Sequence, residues 1–80
     1  MNGNTVKAIR LFNGESQRSF AKLLGFSYSG IAAVESGRYA PSERLRASIA
    51  RNFPIDESFI IFLRDFEKTN RIIHDTIIPH

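Results

Sequence analysis

The stretch Ser16-Gln17-Arg18-Ser19-Phe20-Ala21-Lys22-Leu23-Leu24-Gly25-Phe26-Ser27-Tyr28-Ser29-Gly30-Ile31-Ala32-Ala33-Val34-Glu35-Ser36-Gly37 decides how this chain folds. Ser16 stands where a hydroxyl accepts from an otherwise unpaired amide of a first helical turn. Phe20, Ala21 and Leu24 follow at i, i+1 and i+4, the spacing of one apolar helix face. Gly25 is placed for a left-handed helix stop, a conformation that glycine enters without steric cost. Ser27 is a second N-cap, Ile31 and Val34 form a second apolar face, and Gly37 is a second stop. The string therefore predicts two short helices, Gln17–Leu24 and 28–36, joined by a tight turn.

The same residues carry a resemblance. Gln17, Ala21, Leu24, Gly25, Ser27, Ile31, Glu35, Gly37 and Pro41 stand as in the Cro and phage-repressor helix-turn-helix family, the xenobiotic-response-element type. Residues 5–66 resemble that family, and the likeness is weak after Phe66. It implies an all-α, five-helix lambda-repressor-like DNA-binding domain with a C-terminal extension. It implies double-stranded DNA as partner, with helix three in the major groove. It also implies that Arg10 and Glu35 form an internal ion pair tying helix one to helix three.

Working outward, helix one is expected from about Thr5 to Phe12, with Val6 and Ile9 inward and Lys7 outward, after a polar lead-in, Met1 to Asn4, that carries no fold signal. Helix four is expected after the Ser42 cap, burying Leu45, Ile49 and Ala50 and stopping near Phe53-Pro54. Helix five starts from an Asp56 cap, and its Phe59, Phe62, Leu63 and Phe66 fall at i, i+3, i+4 and i+7, an amphipathic stripe. Ile60 and Ile61 widen that stripe beyond the needs of a small core. The organisation expected is a DNA-binding domain over residues 1–68 and a C-terminal tail over 69–80, a candidate part of a dimer interface. The apolar pairs of the tail fit a last helical turn or a β-type arm equally.

Base edges are expected to meet Tyr28 and Ser29 in the first turn of helix three, with Ala32 and Ala33 completing its outer face. Two methyl groups at those last positions depart from many relatives, which place Gln, Arg, Asn or Lys there. So bare a helix fits either thymine contacts at the groove floor or recognition of DNA shape. Phosphates are expected to meet Gln17, Arg18, Lys22, Ser27, Arg38 and Tyr39, with Arg44 and Arg46 as further backbone contacts. For each cation the alternative is a solvated surface charge. Gly30 fits either a close approach to DNA or a plain weak point in the helix.

Charge supports a polyanion partner on the N-terminal side. Residues 1–51 carry eight Lys and Arg against three acidic residues, whereas residues 52–80 carry three against five. Cysteine is absent, so neither a disulfide nor a thiolate metal site is available. The two histidines, His74 and His80, do not make a catalytic or four-ligand metal set. No enzyme activity, cofactor or metal is expected. No apolar run approaches the roughly 20 residues of a membrane span, no signal-peptide pattern stands at the N-terminus, and a cytoplasmic protein is expected.

The function expected is sequence-specific transcriptional regulation by a homodimer that pairs through helix five (Phe59, Ile60, Phe62, Leu63 and Phe66). The alternative is a protein-interaction module of the same fold, an antirepressor or antitoxin acting through its apolar C-terminal part. On either reading a protein antagonist or toxin is a candidate partner.

Overall fold

Every helix start is set by a side-chain oxygen that takes up a free amide. In the computed structural model, which describes the backbone of residues 1–77 and the side chains of residues 1–72, five helices follow in order. They are α1 (Gly3–Phe12), α2 (Gln17–Leu24), α3 (Tyr28–Glu35), α4 (Glu43–Asn52) and α5 (Glu57–Ile77). Ser16 Oγ accepts from the Ser19 amide at 3.0 Å, Ser27 Oγ from Gly30 at 3.0 Å, and Ser42 Oγ from Leu45 at 3.1 Å. Asp56 Oδ1 accepts from the Phe59 amide at 3.0 Å. The architecture is all-α among the described residues, as the sequence predicts.

The turn between α2 and α3 depends on Gly25, whose φ of 76° lies in the left-handed region. That conformation lets the Phe26 amide reach back to the Ala21 carbonyl at 2.9 Å, closing the helix end. After α3 the Arg38 amide does the same for the Ala33 carbonyl at 3.0 Å. The chain thus stops and restarts a helix within three residues.

Two details of α1 differ from expectation. The helix begins at Gly3, not Thr5, because Asn2 caps it, its Oδ1 accepting from the Thr5 amide at 2.9 Å. The polar lead-in therefore does carry a fold signal. Gly3 also packs against the end of α3 so closely that a Cβ there would run into the Val34 carbonyl oxygen.

The core is one cluster: Val6, Ala8 and Ile9 from α1, Phe20, Ala21 and Leu24 from α2, Ile31 and Val34 from α3, Leu45 and Ile49 from α4, then Phe53 and Phe59. α1 packs on α3 and α5, and α2 packs on α3 and α4. On α4, Ala50 is exposed instead of buried, and Ser48 takes the inward place. The Ser48 hydroxyl donates to the Leu24 carbonyl at 2.9 Å, satisfying one of the acceptors left free at the end of α2. A polar side chain can thus point inward where a neighbouring helix ends.

Along α5, Phe59 is only 2% exposed and belongs to the core. Its ring meets Phe12 edge-on at 5.5 Å, and Phe12 in turn lies 5.2 Å from Phe62. The aromatic stripe therefore serves first to fasten α5 to α1. The helix then continues without a break across residues 69–77, so the tail is helical there and not a β-type arm. The conformation of residues 78–80 and the readings attached to His74 and His80 lie outside the described residues.

Candidate nucleic-acid interface

Because α3 buries Ile31 and Val34, its opposite side is left outward. Tyr28, Ser29, Ala32, Ala33, Ser36 and Arg38 line one shallow concavity on that side. The four residues expected to read bases thus lie together, with Arg38 at one end. Tyr28 keeps 43% of its surface. Its ring is covered from one side by the Arg18 guanidinium, 4.5 Å from the ring centroid. The second residue of α2 and the first of α3 are thereby joined through a cation–π contact.

Beside this face a buried ion pair holds α1 to α3. Arg10 Nε donates to Glu35 Oε2 at 2.8 Å, and Arg10 Nη2 donates to Glu35 Oε1 at 3.0 Å. The side chains are 11% and 3% exposed. Arg10 Nη1 also donates to the Glu15 carbonyl at 3.0 Å, so the guanidinium uses all three of its nitrogens. Two parallel bonds of this kind fix orientation as well as charge.

Gln17 enters the same network, its Nε2 donating to Glu35 Oε1 at 3.2 Å. One amide proton is thus held inside the protein while the other is free for an outside acceptor. The Ser27 oxygen is taken up by the Gly30 amide, which makes Ser27 a cap first and leaves only its hydroxyl proton for a phosphate. Lys22 and Tyr39 are exposed. Arg44 lies over the Phe26 ring at 4.8 Å, against the turn between α2 and α3, and Arg46 is exposed.

Two residues join the site that sequence reasoning assigned no such role. Lys7 lines a second depression with Arg10, Gln17, Ala32, Glu35 and Ser36, which puts an exposed lysine on the same depression as the first residue of α2. Its signal in the sequence was the i, i+3 spacing to Arg10, which places it one turn earlier on the side of α1 that meets α3. Ser36 lines both depressions. Its hydroxyl donates to the Ala33 carbonyl at 2.9 Å.

The chain is 36% identical over 64 residues to an uncharacterized HTH-type transcriptional regulator of Methanocaldococcus jannaschii, a match spanning 80% of this chain and 97% of that relative. The chain belongs to the helix-turn-helix transcriptional regulators. These are DNA-binding proteins as a class, and α2, the Gly25 turn and α3 form the motif that gives them their name. No protein-family model matches this regulator, and no solved structure matches it significantly. Among its described residues no helix is long and apolar enough to cross a membrane, and no cluster of His, Asp or Glu is grouped to hold a metal ion.

Proposed function

We propose that this regulator is of the phage-repressor or Cro-like type and binds operator DNA as a homodimer, inserting α3 of each subunit into successive major grooves. Tyr28, Ser29, Ala32 and Ala33 face the bases. Gln17, Arg18, Lys22, Arg38 and Tyr39, with the Ser27 hydroxyl and Lys7, face the phosphates on either side. The observation that carries this reading is the single shallow concavity holding all four base-facing residues beside Arg38. A helix with that side open and cations at its edges matches the shape and charge of a duplex groove.

The apolar surface left on α5 supports pairing of two subunits. Ile60 is 51% exposed, and Phe62, Leu63 and Phe66 pack against the core while keeping part of their surface outward. Phe59 is removed from that surface by its burial.

The test is a titration against the DNA upstream of the protein's own gene at several salt concentrations. A preferred site and a steep fall of affinity with salt are expected, since each neutralised phosphate releases counterion. Arg38→Ala is expected to weaken binding to all sequences alike and to reduce the salt slope by about 1. Absence of a preferred site, with Arg38→Ala and Tyr28→Ala silent, would instead support the antirepressor or antitoxin reading.

A further inference from the structure

We infer that α3 selects DNA by packing against the C5-methyl groups of thymine, so that apolar contact and not hydrogen bonding to base edges sets the preferred site. This inference rests on the DNA-binding reading above. The outward residues of α3 and its cap are Tyr28, Ser29, Ala32, Ala33 and Ser36. None carries a carboxamide, guanidinium, ammonium or carboxylate. Glu35, the acidic residue of the helix, is committed to Arg10 and Gln17. The two-bond pairings that read guanine, adenine or cytosine in the major groove therefore have no side chain on α3 to make them.

Of the hydroxyls on this face, those of Ser36 and Ser29 lie against oxygens of the protein. Ser36 donates its proton to the Ala33 carbonyl. Ser29 Oγ lies 3.5 Å from Ser27 Oγ, which already accepts the Gly30 amide. What remains for the groove floor is the Ala32 and Ala33 methyl groups and Tyr28, whose ring Arg18 covers from one side and whose hydroxyl the Tyr28→Phe variant removes. Thymine is the base that presents a methyl group in the major groove. Beyond Tyr28 no outward side chain of α3 or its cap is longer than serine, so the helix backbone can approach closely enough for van der Waals contact with that methyl.

The test uses the 80-residue chain to select duplexes from a random-sequence library. Each thymine of the selected site is then replaced in turn by deoxyuridine, which keeps the base pair and removes only the methyl group. At each contacted position the replacement is expected to weaken binding about fourfold, the effect of exposing one methyl-sized apolar group, with the salt slope unchanged. Tyr28→Phe is expected to keep the discrimination at the position its ring covers, and Tyr28→Ala to lose it there. A selected site at which uridine is silent at every position would overturn the methyl reading while leaving operator binding intact. Failure to select any site would overturn both.

Discussion

The Arg18 guanidinium lies over the Tyr28 ring, 4.5 Å from its centroid, so the first turn of α2 and the first turn of α3 present one joint surface. The contact ties a cation proposed to face phosphate to a ring proposed to face bases, and neither side chain can be altered without freeing the other. In a double-mutant cycle on DNA affinity, Arg18→Ala and Tyr28→Leu are therefore expected to be non-additive. The coupling expected is about 0.5–1 kcal/mol, the range for an exposed cation–π pair. Additive losses would show that the two side chains meet DNA independently.

Glu35 holds two donor side chains at once, the charged Arg10 through two bonds and the neutral Gln17 amide through one. Removing its carboxylate by Glu35→Ala leaves a buried guanidinium without its counterion, which costs about 3–5 kcal/mol. That is a large share of the total stability of about 5–15 kcal/mol usual for a domain. The melting temperature followed by circular dichroism is expected to fall sharply. Replacing both partners, Arg10→Met with Glu35→Leu, is expected to restore much of the loss, because no unpaired charge is left behind. A single Glu35→Ala variant that melts with the parent would show the pair to be unimportant for stability.

Gly3 and Gly30 both sit in helices but differ in what a side chain would meet. At Gly3 the obstacle is the Val34 carbonyl, a backbone atom that moves only if α1 and α3 separate. At Gly30 it is Ser27 Oγ at 2.9 Å, the end of a side chain that can rotate. Gly3→Ala is expected to lower the urea midpoint by more than about 1 kcal/mol equivalent, the loss of tight packing outweighing the gain in helix propensity. Gly30→Ala gains about 1 kcal/mol of propensity and disturbs a cap of similar worth, so its midpoint is expected to stay near the parent's. Equal effects at the two positions would contradict this account.

Ile60 offers a cleaner probe of the subunit interface than removal of α5, because a chain ending before α5 also loses Phe59 from the core. Ile60→Asp leaves the core untouched and places a charge on the proposed contact surface. Sedimentation is expected to show a monomer with unchanged helix content by circular dichroism. A dimer that persists would move the interface elsewhere on the protein.

Signals that act within four residues were legible in the chain itself. Ser16, Ser27, Ser42 and Asp56 set the starts of α2 to α5, and Gly25 and Gly37 set two stops, because a cap or a left-handed turn involves only neighbouring amides and carbonyls. The grouping of Tyr28, Ser29, Ala32 and Ala33 on one side of α3 follows equally from helical period. Which surfaces meet was decided by tertiary structure alone. Gly3 became a contact point because α3 ends beside it, and Ser48 turned inward because Leu24 left a carbonyl unpaired. Phe59 went to the core because Phe12 lay opposite. Likewise no local rule places Arg18 over Tyr28, ties Gln17 to Glu35, or sets Lys7 beside the start of α2. Those pairs are brought together only when helices from separate stretches of chain dock, and there the fit between their surfaces, not the preference of any one residue, selects the contact.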